Sequence, residues 1–179
     1  DPIFRFKHRY LLDALDSEVM LNLLRAMKEE RTAELTIFSR RKGMELNHSL
    51  FPLRFFIGTQ TGRQSILGYH QRLRRLMFIR LDSIRRVKLG EAVGNAERLR
   101  ALVPRLREHL WGVSDGSDQS LDHIELDIFV AEGETFIVDR LMREKRCGQV
   151  SQISESVWRF TADVYDAGEM LPWIRTFIG

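Results

Sequence analysis

The sequence predicts a mixed α+β chain, in which a small, curled, five-stranded antiparallel barrel precedes a β-α-β-β-α sandwich. Three observations predict it. Short β-type runs joined by tight turns fill residues 32–89. Two clean alternations of apolar and polar residues stand near the end, at 124–130 and 158–164. Helical periodicity is confined to segments that precede, separate and follow these runs.

Residues 17–31 read as a helix, capped by Ser17, with Val19, Met20, Leu23, Leu24 and Met27 on one face and Arg25, Lys28, Glu29 and Glu30 outside. The preceding Phe4–Leu12 mixes aromatic and basic residues without a period. Strands follow at Glu34–Phe38, Leu46–Ile57, Gln64–His70, Leu76–Leu81 and Ile84–Leu89, with turns at Arg40–Gly43, Thr59–Gly62 and Gln71–Arg75. Pro52 marks an edge or a bend, and Gly90 to Gly94 should loosen the chain. Asn95 then caps a helix with Leu99, Leu102, Val103, Leu106 and Leu110 as its stripe, which Pro104 should kink or divide. The polar Ser114–Ser120 is expected to be a domain boundary. Beyond it come the first alternating strand, a helix over Glu134–Lys145, strands at Gln149–Ser154 and around Trp158–Val164, and a closing helix from Ala167. The resulting organisation is an N-terminal helical segment (1–31), the barrel (32–90), a helical linker (91–120) and the α+β domain (121–179).

At 179 residues and 44% apolar content the chain is of ordinary globular type. No stretch approaches the ~20 apolar residues of a membrane span, and no signal peptide is recognisable. The lone Cys147 excludes an internal disulfide framework and fits a reducing cytoplasm. Opening on Asp1-Pro2 and closing on Ile178-Gly179, the chain is expected to be a piece of a longer protein.

Charge is segregated. Residues 1–110 hold 22 Lys and Arg against 12 Asp and Glu, whereas residues 111–179 hold 6 against 13. Such asymmetry means either that the basic part attracts anions or that the two halves attract each other.

Enzyme chemistry finds no foothold, so no catalytic residue, metal or cofactor is expected. His8, His48, His70, His109 and His123 are scattered, and no nucleophile elbow, phosphate loop or dinucleotide fingerprint occurs. Gly58-Thr-Gln-Thr-Gly62 reads as a hairpin turn.

Binding chemistry is present. Arg40, Arg54, Arg63, Arg72, Arg74, Arg75, Arg80, Arg85 and Arg86 crowd the barrel, and guanidinium suits bidentate phosphate contacts and stacking on bases. Tyr69, His70, Phe55 and Phe56 offer aromatic surfaces among them, although one of the adjacent phenylalanines belongs in the core. Arg74, Arg75, Arg85 and Arg86 read equally well as solvated turn and edge charges, and His48 as a structural partner or a ligand contact. Glu45 and Asp82, the acids of the stretch 40–88, are expected to be salt-bridged. Arg80 follows Ile79 and precedes Leu81, which should face the opposite side, so it lines a groove or pairs with an acid.

Several of these segments resemble the WYL domain of bacterial transcription regulators. They are Leu23-Leu-Arg-Ala-Met-Lys-Glu-Glu-Arg31, Thr36-Ile-Phe-Ser39, His48-Ser-Leu-Phe-Pro-Leu53, Gly62-Arg-Gln-Ser-Ile-Leu-Gly-Tyr69 and, most specifically, Phe78-Ile-Arg-Leu-Asp-Ser-Ile84. The family's Trp-Tyr-Leu falls on Gln64, Ser65 and Ile66, and Ser83 stands where the family has arginine. Leu110-Trp-Gly-Val-Ser-Asp-Gly116, Val157-Trp-Arg-Phe160 and Leu171–Gly179 are similar to the linker and the C-terminal WCX extension that often follows WYL. The resemblance covers roughly 20–179. It implies an Sm-like barrel that binds an anionic effector, reported for relatives as single-stranded nucleic acid. The signal would pass through WCX to an N-terminal winged helix on operator DNA, usually within a homodimer. Carried over, the family's pocket falls on Ser39, His48 and Arg80, to which the local sequence adds Arg40, Tyr69 and Arg72. The reading is therefore an effector-sensing module for single-stranded nucleic acid or a nucleotide-like anion. Its rivals are a protein-interaction and dimerisation module without a nucleic-acid ligand, and a sensor of a small anionic messenger.

Overall fold

A computed structural model describes residues 17–58, 62–114 and 120–177. Phe4–Leu12, most of the turn at 59–62 and most of the boundary expected at 114–120 lie outside the described residues. The chain separates into two compact units, residues 1–102 and 103–179. No helix among the described residues is long and apolar enough to cross a membrane.

The first unit begins with helix α1 (Ser17–Lys28), followed by strands β1 (Arg31–Ser39), β2 (Met44–Ile57), β3 (Gln64–His70), β4 (Arg75–Arg80) and β5 (Ile84–Ala92). All neighbours are antiparallel, in the order β4-β3-β2-β1-β5. The length of β2 shapes the sheet. Its first part, to Leu50, pairs with β1, and its second part, from Phe51, pairs with β3, with a register shift between Pro52 and Arg54. Pro52 thus marks a bend at the buried middle of a central strand, not an edge.

The five strands form the expected antiparallel sheet, which is not closed into a barrel: its edges are β4 and β5. A 3₁₀ turn over Leu81–Ser83 directs Ile84 to pair with Ile37 of β1, where a hairpin would have returned it to β4. One face of the sheet carries Leu35, Leu50, Ile66, Ile79, Ile84 and Val87, closed by Val19, Leu23 and Ala26 of α1. Each such fully buried aliphatic side chain contributes about 1.5–3 kcal/mol. This is the core face.

Two local expectations shift. Strand β5 runs past Leu89 to Ala92 because Gly90 permits a close approach: a Cβ there would lie 2.2 Å from Thr32 Oγ1, which accepts the Glu91 N–H at 3.0 Å. Asn95 occupies the N-cap of α2 (Ala96–Arg100), but its side chain makes no capping bond. Pro104 divides the helix as its chemistry requires. It lacks the N–H that would bond the Arg100 carbonyl, and α2 ends at Arg100 before α3 (Leu102–Glu108) begins.

In the second unit, β6 (Asp122–Phe129), α4 (Thr135–Glu144), β7 (Gln149–Ser154) and β8 (Val157–Val164) give an antiparallel sheet in the order β6-β8-β7. Alternation places Leu126, Ile128, Phe160, Ala162 and Val164 in a core with Leu141 of α4, Trp111 and Trp173. The Trp111 and Trp173 rings lie 4.7 Å apart and Phe160 packs 5.3 Å from Trp173. On the polar face Arg159 forms two 2.7 Å bonds to Asp127 and a 3.0 Å pair with Glu125. The closing helix is broken into a 3₁₀ turn (Ala167–Met170), α5 (Leu171–Ile174) and another 3₁₀ turn (Arg175–Phe177). Pro172 suits the first turn of α5 but has no N–H to bond back to Gly168, so a continuous helix from Ala167 cannot form.

Candidate anion-binding groove

The β1–β2 turn and the end of β4 meet around a cavity of 380 Å³, lined by Ile37, Leu46, Met77 and Ile79 at its apolar side and by Ser39, Arg40, Arg41, Arg80 and Asp82 at its polar side. Sequence places these groups economically. Ile79 and Leu81 are buried, so alternation and the 3₁₀ turn leave the intervening Arg80 at the rim. The Ser39 side chain accepts the Lys42 N–H at 3.3 Å while its carbonyl accepts the Gly43 N–H at 2.8 Å, which ties down the turn bearing Arg40 and Arg41 and leaves the Ser39 hydroxyl proton to donate.

Asp82 organises the cations. Its side chain is only 5% exposed; Arg80 Nε donates to Oδ1 at 2.9 Å and Nη2 to Oδ2 at 2.5 Å, and Arg40 approaches Oδ2 at 3.6 Å. One carboxylate thus serves two guanidiniums whose side chains remain 40% and 71% exposed, so the rim stays net positive. Arg80 keeps Nη1 for another acceptor. Arg85 adds positive charge over the Phe38 ring, 5.8 Å from its centroid, on a residue that also lines the cavity.

Not all the expected site residues converge here. Ser39, Arg40 and Arg80 share the cavity. His48 pairs with Leu35 and therefore lies on the core face, two residues along β2 from the cavity residue Leu46. Its ring packs edge-on against His70 at 5.6 Å. Tyr69 is on the face away from the core, as Arg80 is, but farther along β3, where it pairs with Phe51 and Leu76 and lines a separate depression with Gln71, Arg74 and Asn95. Arg72 is exposed in the Gln71–Arg74 turn, and no hydrogen bond links it to the cavity among the described residues.

Asp82 and Arg41 were not singled out as site residues by sequence, although the Arg-x-Asp spacing at a strand end was a usable signal for Asp82. Burial lowers the pKa of His48 first, with His70 and Lys42 adding to the effect. Burial also lowers that of His70, helped by Arg75 and Arg72 and opposed by its own backbone hydrogen bond and Glu34. Both imidazoles are therefore held neutral near pH 7.

A larger cavity of 650 Å³ in the second unit carries Glu132, Asp139 and Glu155 and no Lys or Arg, which makes it unsuited to an anion. Burial pushes the Cys147 thiol up, away from thiolate chemistry.

No family model matches the chain, and no curated protein matches it in sequence. Among solved structures it is similar to the proteasome accessory factor B/C (PafBC) of Arthrobacter aurescens, at 14% identity and a TM-score of 0.41. The similarity covers 90% of this chain but only 23% of that one.

Proposed function

We propose that this chain is the effector-binding part of a transcription regulator and that the Arg80 groove takes the phosphates of single-stranded nucleic acid or of a nucleotide-like anion. The observation that carries the reading is the sharing of the buried Asp82 by Arg40 and Arg80, which orients both guanidiniums yet leaves positive charge at a cavity rim. In the proposed mode Arg80 and Arg40 contact phosphate, the Ser39 hydroxyl donates to a phosphate oxygen, and Phe38 and Phe78 supply the apolar wall. Tyr69 shares the face of Arg80 but lies four residues along β3 from Ser65, the partner of Arg80, and so does not stack on the same nucleotide. The WYL resemblance of Phe78–Ile84 supports the same assignment, as does the predominance of Lys and Arg in residues 1–110. In this reading the unit would act as a homodimer within a regulator that binds operator DNA.

A thermal-shift screen with a single-stranded deoxyoligonucleotide, the matching duplex and mononucleotides tests this reading. At 100 times its Kd a ligand stabilises by about 2.7 kcal/mol. The single strand is expected to raise the melting temperature more than the duplex; indifference to every probe would refute the proposal.

A further inference from the structure

The core face holds a second group of polar side chains beside the Arg80 cavity. Arg75 pairs directly with His70 across β3 and β4, and the His70 ring meets that of His48 at 5.6 Å. All three face the side of the sheet that carries the apolar core. Two of their atoms, Arg75 Nε and His48 Nδ1, are buried without any hydrogen-bond partner. No ion pair reaches Arg75 among the described residues. A buried guanidinium N–H with no acceptor is costly, and native proteins leave few such groups unsatisfied. His70 Nδ1 accepts the Leu73 N–H at 3.3 Å, so the His70 proton sits on Nε2, where it is a donor. Arg75 Nε–H and His70 Nε2–H are thus donors, and His48 carries a ring N–H of its own.

We propose that Arg75, His48 and His70 form a second anion site that takes a phosphate-type oxyanion. The register places it next to the first cavity: His48 and Arg75 each lie two residues, about 7 Å of strand, beyond the cavity-lining Leu46 and Met77. Arg75 opens β4 and Arg80 closes it, about 16 Å apart along the strand and on opposite faces of it, so a ligand reaching both would follow the sheet edge that β4 forms. A single ligand touching both ends is therefore longer than a mononucleotide. That last step rests on the function proposed above and narrows its ligand to an oligonucleotide; the anion site itself does not depend on it.

The test uses the full chain with ¹⁵N-labelled histidine, as wild type, Arg75→Gln and Arg80→Gln. Each is titrated with inorganic phosphate and with a 5′-phosphorylated thymidine trinucleotide. Phosphate is expected to move the His48 and His70 ring resonances in wild type and in Arg80→Gln but not in Arg75→Gln. The trinucleotide is expected to lose about tenfold or more in affinity in either variant, the scale of a lost charge-assisted contact. Rings unmoved by phosphate, or moved equally in Arg75→Gln, would overturn the site and indicate that water serves the buried atoms. An Arg75-dependent phosphate response with no trinucleotide binding would instead retain the site and overturn the function proposed for the groove.

Discussion

Asp82 shows how one side chain sets the properties of the groove. Its buried carboxylate fixes two arginines, and Asp82→Asn would leave Arg80 without its bidentate partner. Removing one member of a fully buried pair costs about 3–5 kcal/mol. Arg80 stays 40% exposed, so solvent screening reduces the expected loss to about 1–2 kcal/mol, readable as a lower urea midpoint with an unchanged m-value. The histidine pair gives a pH prediction at the same scale. His48 and His70 are depressed by burial and by Lys42, Arg72 and Arg75, with Glu34 opposing at His70. The unfolded chain binds protons at these sites near pH 6.5, and the folded chain only at lower pH. Stability is therefore full above about pH 6.5 and falls as the pH drops from there through the folded values. Melting curves at pH 7.5 and 5.5 should show this loss, and a His48→Gln/His70→Gln variant should flatten it; an unchanged slope in that variant would contradict the assignment.

At the scale of elements, the legible parts of the fold were those with one covered face. Strands β6 and β8 alternate because helix α4 packs on one side only, and their faces follow from sequence. Strand β3 is buried on both sides, from Ser65 to Gly68, and carries no alternation. Its ends were readable from the flanking turns, but its register was not: Tyr69 shares the face of Arg80 yet stands opposite Leu76, four residues away along β4. The pairing of β5 with β1 was illegible for a different reason, since it depends on where three residues of 3₁₀ turn direct the chain. The turn before β7 yields a further prediction. Gly148 has φ +79°, and a Cβ there would lie 2.4 Å from the Thr161 carbonyl oxygen, a backbone atom of the neighbouring strand that cannot yield cheaply. Gly148→Ala should destabilise the second unit by about 1–3 kcal/mol, checked by hydrogen exchange at β7 and β8.

For the whole molecule, charge segregation gives a sharper expectation than any single contact. A groove that neutralises several phosphates releases counterions, so the affinity for a single strand should fall linearly on a log–log plot against salt. A ligand held mainly through apolar walls would show little such slope. The alternative in which the chain serves only protein–protein contacts predicts a self-association that added oligonucleotide leaves unchanged, which sedimentation can resolve.

The most direct measurement is the polarisation of a labelled single-stranded oligonucleotide titrated with wild-type protein and with Arg80→Ala, at low and at physiological salt. The groove as described predicts saturable binding that weakens with salt and drops about tenfold or more in Arg80→Ala, whose melting curve still shows a cooperative fold. Equal affinity for the two proteins, or no binding even at low salt, would contradict it.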